Sequence, residues 1–245
     1  MICLTNVVKR FGTQDVLKGV SMAVARGEVC VLLGPSGGGK STLLRTINGL
    51  ESFDGGSIEV AGTKLTPEVG PAREAALLQI RRKVGMVFQQ FNLFPHRTVL
   101  ENVIEAPMHV LKQSRDQAVA KARELLSRVG LIDKCDASPA SLSGGQQQRV
   151  AIARTLAMQP DAILFDEPTS ALDPNTTSEV ISVMQDLAKD GQGMIVVTHA
   201  MHFARTVAHT VHILHTGSIV ESGPPGQLFE NPQHEVTRRF LADSD

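Results

Sequence analysis

A chain of 245 residues with 42% hydrophobic content is long enough for one sizeable domain or two small ones around a buried core. Its formal net charge of -1 excludes a global basic field for nucleic acid or acidic lipid, so any anion has to be met by a local site. No apolar run approaches the roughly 18 to 20 residues that cross a bilayer, the start lacks a signal-peptide pattern, and the scattered Cys3, Cys30 and Cys135 fit neither a disulfide framework nor a zinc site. The expectation is a soluble cytoplasmic chain whose reduced cysteines serve packing.

In chain order, "ICLTNVVKRFG", "VLKGVSMAVARG" and "SIEVAG" read as short strands of an N-terminal antiparallel β patch. The runs "EVCVLLG", "KVGMVFQ", "DAILFDE" and "MIVVTH" are continuously apolar, as strands buried on both faces of a parallel sheet are. Helical patterns follow the first, third and fourth of them in "KSTLLRTINGL", "NTTSEVISVMQDLAKDG" and "MHFARTVA". Strand-then-helix order predicts an α/β fold with a parallel sheet core. From residue 92 to 159 three helical patterns run without an intervening strand, so this segment is expected to be a helical subdomain inserted between core segments 1–91 and 160–245. The basic run Arg81 to Lys83 reads as a solvated face, and the tail as two short helices broken at Pro232.

"GPSGGGKS", Gly34 to Ser41, fits the phosphate-loop pattern and lies between a buried run and a helix. Glycines here let successive amides turn toward one centre, and the helix N-terminus adds its dipole. Lys40 is suited to the β and γ phosphates, and the Ser41 hydroxyl to Mg2+. Asp166 and Glu167 follow "AILF" at the end of a buried strand, where open α/β sheets place their ligand sites. Asp166 is placed to hold Mg2+ through water, and Glu167 to polarise an attacking water.

His199 also ends a buried run, where a lone histidine is more often an ordinary surface residue. His209, His212 and His215 are regularly spaced, but in a strand residues three apart point to opposite faces, which argues against a metal site. In "LSGGQQQRV", Ser143 is a good N-cap, and Gly144 and Gly145 leave the first helical amides uncovered. That predicts a second anion site, with an ordinary capped helix as the alternative.

Together these residues resemble the ATP-binding subunit of ABC transporters over essentially the whole chain. The specific part is the ordered set "GPSGGGKST", "VFQQ", "LSGGQ", "ILFDEPTSALD" and "VTH". The resemblance implies a P-loop NTPase (RecA-like) core with ATP and Mg2+ as ligands. ATP would be held by Gly34, Pro35, Ser36, Gly37, Gly38, Gly39, Lys40, Ser41 and Thr42, with Phe11 stacked on adenine. Gln89 would contact Mg2+ and the attacking water, and His199 the γ-phosphate. Asp173 would lie in a loop crossing to a partner subunit. Ser143, Gly144, Gly145 and Gln146 would close over the ATP of a second copy in a head-to-tail dimer.

Within the family, "GMVFQQFNLFPHRTVLENVIEAPM" and "NPQHEVTRRFL" look most like the subunits that energise bacterial uptake of polar amino acids. That implies permease partners, indirectly a substrate-binding protein, no nucleic acid, and a peripheral location on the cytoplasmic face of the membrane. Two departures from the family pattern are Ala200 where Glu is common and Arg97 where Met is usual. The alternative is a soluble ABC ATPase acting on a nucleic-acid or ribosomal complex, which usually carries two cassettes or long extra domains. A small-molecule kinase would share the phosphate loop but would need an acceptor pocket and has no use for "LSGGQ".

Overall fold

The computed structural model describes residues 1–243, so the end of the expected second core segment lies outside the described residues. Strands β1 (Ile2–Phe11) and β2 (Gln14–Val24) form a hairpin. Strand β3 (Val29–Leu33) follows, with all five residues buried, and runs through the phosphate loop into α1 (Lys40–Ile47). Strands β4 (Gly55–Val60) and β5 (Thr63–Leu65) complete an antiparallel sheet of order β2-β1-β4-β5, one short strand more than the alternation predicts.

Helix α2 (Pro71–Lys83) has no counterpart in the sequence reading, because only Leu77 and Ile80 on it are buried and no clear apolar stripe results. Its basic end is not merely a solvated face. Arg81 donates to the carbonyls of Asn48 and Gly49 at 3.0 Å each, and Lys83 to that of Ala61 at 3.1 Å.

After β6 (Val84–Val87) the chain is helical until the next strand: α3 (Val99–Val110), α4 (Arg115–Arg128), two 3-10 turns at 132–134 and 139–141, and α5 (Gly144–Ala157). Each of these three helices opens with a capping box, at Thr98/Glu101, Ser114/Gln117 and Ser143/Gln146, so each start is specified locally. The chain then returns through β7 (Ala162–Asp166), α6 (Pro174–Lys189), β8 (Gly193–Val197), α7 (Met201–Val207), β9 (Thr210–His215), β10 (Ser218–Gly223), α8 (Pro225–Glu230) and α9 (Glu235–Ala242).

The second sheet has order β10-β9-β3-β8-β7-β6 and is parallel except for β10. Its central strands β3, β7 and β8 are buried on both faces, and their two-residue period deals side chains to two cores. Val29, Val31, Leu33, Ile163 and Phe165 join the core shared with α3 to α6, whereas Cys30, Leu32, Ala162 and Leu164 join the core beneath the antiparallel sheet. Cys30 and Cys135 are buried, but Cys3 is exposed on β1, so the expectation of three packing cysteines fails there.

His209 accepts from the Val29 amide at 3.0 Å, and His212 lies 2.6 Å from the Ser222 hydroxyl. Two of the three histidines thus tie the chain to neighbouring strands, while His215 meets the adjacent Thr216 hydroxyl, at 3.4 Å.

Candidate nucleotide site

The loop between β3 and α1 is shaped by glycines that no other residue replaces cheaply. Gly34 has φ +136°, and a Cβ there would lie 2.1 Å from the Leu214 carbonyl oxygen. Gly39 enters α1 with φ +97° and no side chain caps the helix. The amides of Lys40, Ser41 and Thr42 take no acceptor among the described residues, and no acidic residue occupies the first turn. An uncapped start with left-handed glycines before it is a concentrated set of N–H donors for an anion.

Lys40 is 5% exposed, and its ammonium donates to the carbonyls of Gly34 at 2.7 Å and Pro35 at 2.9 Å. Burial pushes its pKa down, and the charges of Glu167 and Asp166 oppose that shift. A cleft of about 320 Å³ is lined by Phe11, Val16, Ser36 to Gly39, Lys40, Ser41, Thr42 and Glu167. Residues from the first hairpin, the phosphate loop and the end of β7 therefore meet around one volume.

Glu167 has φ +48°, unusual for a residue with a side chain, and its amide donates to the Val197 carbonyl at 2.9 Å. Its carboxylate lies 3.5 Å from His199 Nε2. The ends of β7 and β8 thus bring together two of the three expected catalytic residues, Glu167 and His199. Asp166 is buried, and its Oδ2 receives Arg45 Nη2 at 2.8 Å and Nε at 3.0 Å. Arg45 was not predicted; 121 positions separate the two residues, and nothing local in the sequence links them.

Gln89, Ser143 to Gln146 and Asp173 do not line this cleft. Gln89 is exposed just beyond β6, in a loop held by α5: Gln148 donates to the Phe88 carbonyl at 3.2 Å, and Arg154 to those of Asn92 at 2.7 Å and Phe91 at 3.2 Å. At the start of α5, Ser143 Oγ accepts from the Gln146 amide, while the amides of Gly144 and Gly145 take no acceptor among the described residues. Asp173 caps α6, accepting from the amides of Asn175 and Thr176, and the Thr176 hydroxyl chiefly holds its carboxyl below the usual range. Gly145 sits on that capped turn, against Thr176.

A second cavity, of about 560 Å³, opens between β6 and the ends of α2, α3 and α5. Met86, Phe88, Phe94, Ala106 and Val110 give it apolar walls, and Arg81, Arg82 and Arg154 a basic side. Arg97, the departure from the family pattern, pairs with Glu105 at 3.1 Å on its edge.

A family model described as ABC transporter matches residues 17–170. The chain belongs to the ABC transporter family. Its cassette is an ATP-binding ATPase with the P-loop NTPase fold. It is 51% identical over 242 residues to the glutamine transport ATP-binding protein GlnQ of Bacillus subtilis, covering 99% of this chain and 98% of that one. It is also 51% identical over 250 residues to the arginine transport ATP-binding protein ArgV of Corynebacterium glutamicum, covering 99% and 97%. A solved dimer of an ATP-binding cassette in a post-hydrolysis state, bound to ADP and Pi, aligns with a TM-score of 0.80 and 36% identity, covering 92% of this chain and 99% of that one. Among the described residues no helix is long and apolar enough to cross a membrane.

Proposed function

We propose that this cassette powers an importer of polar amino acids from the cytoplasmic face of the membrane, by closing on ATP as a head-to-tail dimer and reopening after hydrolysis. The observation that carries the reading is a phosphate cradle and a carboxylate in one cleft, with a second set of free helical amides outside it. Amides that cannot serve their own cleft are explained by a second copy. Relatives named for glutamine and arginine transport support the substrate class.

In this mechanism the amides of α1 and the Lys40 ammonium hold the phosphates, and Phe11 stacks on the base. Glu167 accepts the proton of the attacking water, and His199 contacts the γ-phosphate and steadies Glu167. Ser41, Gln89 and Asp166 offer hard oxygen donors that suit Mg2+, a cation that keeps several of its waters. When bound, Mg2+ neutralises charge on the transferred group. Ser143 to Gln146 cap the partner's ATP, with Asp173 at the crossing.

Residues 92–159 form the moving subdomain in this reading. The apolar cavity beside it, with three arginines on its rim, suits an intracellular segment of the permease. A binding protein delivers substrate on the opposite side.

Replacing Glu167 by Gln tests both halves of the proposal. Hydrolysis should fall about 10²- to 10⁴-fold while MgATP still binds, and sedimentation with MgATP should show a dimer. Wild-type turnover would remove Glu167 from its role. Monomer alone at high concentration would sink the shared-site reading.

A further inference from the structure

Lys9 and Phe11 are two apart on β1 and project to the same side of the strand. Lys9 is 5% exposed, a rare state for lysine unless its charge is paired. Its ammonium lies 2.8 Å from Glu51 Oε1 and donates to the Ser52 hydroxyl at 2.9 Å. It also sits over the Phe11 ring, 4.6 Å from the centroid. Phe11 itself is 48% exposed and lines the nucleotide cleft.

The anchors of that ammonium are fixed in turn. The Glu51 amide donates to the Arg45 carbonyl in the last turn of α1 at 3.0 Å. The Asp54 amide donates to Val8 at 2.7 Å, and its carboxylate receives the Arg10 amide at 2.6 Å. Residues 51–54 are thus fastened to β1 on both sides of Lys9, and the ammonium has a defined place between the exit of α1 and the ring.

We propose that Lys9 is a positioning residue for the nucleotide base, acting through Phe11. It does two things to the ring. A cation held against one face fixes the plane of an otherwise exposed side chain. It also draws π density away from the opposite face, and because the faces of aromatic rings are both negative, less density there weakens the repulsion that opposes stacking. The base therefore meets a ring that is oriented and electron-depleted, while the phosphates are held independently by Lys40 and the helix amides.

The inference rests on Phe11 stacking on the base, and the test separates the two. Equilibrium binding of MgATP and of inorganic tripolyphosphate, which has phosphates and no base, would be measured for the wild type, K9M, F11A and K9M/F11A, each checked by thermal melting. K9M should weaken MgATP roughly three- to tenfold and leave tripolyphosphate unchanged. In the F11A background K9M should have no further effect. K9R, which keeps a cation over the ring, should stay near wild type.

Should K9M fail to fold, K9Q, which keeps a polar side chain beside Ser52 and Glu51 but carries no charge, should give the same base-dependent pattern. Equal losses for both ligands, or an undiminished K9M effect without Phe11, would overturn the role of Lys9. F11A with unchanged MgATP affinity would sink base stacking itself. F11A weakened with K9M unchanged would sink Lys9 alone.

Discussion

Substituting Ala at Gly145 sets two known effects against each other. Ala is favoured over Gly within a helix by up to about 1 kcal/mol, so α5 alone would gain. The added methyl, however, would lie 2.8 Å from Thr176 Cβ, about 0.6 Å inside an ordinary contact, and that atom sits on the turn capped by Asp173. A Cβ cannot swing aside, so α5 and α6 must separate. Overpacking of this kind costs about 1–3 kcal/mol, so the middle of both ranges leaves a net loss of about 1.5 kcal/mol.

Gly144 is the control. A Cβ there meets Leu172 Cδ2 at 3.0 Å, the movable end of a flexible side chain, and the net change should stay within about 0.5 kcal/mol. Urea unfolding without nucleotide measures both. In the dimer reading, G145A placed in the Glu167→Gln background should also reduce MgATP-dependent dimer in sedimentation while ATP binding persists. A G145A protein as stable as its parent, or a G144A protein more damaged than G145A, would refute the packing argument.

Asn102 is fully buried and works as a staple. Its amide donates to the carbonyls of Phe94, Arg97 and Thr98 at 3.1, 3.3 and 2.9 Å, and its oxygen accepts from the Phe94 amide at 2.7 Å. N102A should cost about 2–4 kcal/mol and speed hydrogen exchange at the Phe94 amide, whereas a loss below about 1 kcal/mol would show that the loop finds other partners. R45M leaves the buried Asp166 carboxylate without its cation. Because the Arg45 side chain is 49% exposed, the loss should be about 1–2 kcal/mol rather than the value for a fully buried pair. A double-mutant cycle with D166N should show coupling, and strict additivity would argue that the pair contributes nothing.

The parts of this site that are legible in the sequence are those in which neighbours along the chain are neighbours in space. Gly34 to Thr42 declare a loop between a buried strand and a helix, and Ser143 declares a cap three residues before its partner Gln146. Asp166 and Glu167 are readable because they end a buried strand, whereas His199 ends another and gains its role only through the family resemblance. The rest depends on pairings across the fold.

Lys9 looks like any strand lysine until Glu51 is seen beside it, and Arg45 like any helix arginine until Asp166 is. Asp173 was read only as a crossing residue, yet its local work is to cap α6. Helix α2 escapes because tertiary contacts, not an apolar stripe, hold it. The left-handed backbone of Glu167 also has no local signature, since glycine would be the ordinary occupant of that conformation.

The grip of α5 on the loop that carries Gln89 gives the helix an unusual position in the dimer proposed here. At about 21 Å long it is a rigid rod. Its first turn faces the partner's ATP, while Gln148 and Arg154 along its length hold the loop that attends its own. Arg154 also borders the cavity suited to a permease segment. Pressure from that segment on Arg154 would be felt at both nucleotides at once, so the two ATP sites and the transporter share a single mechanical part. Neither site can then report its state without the other hearing it.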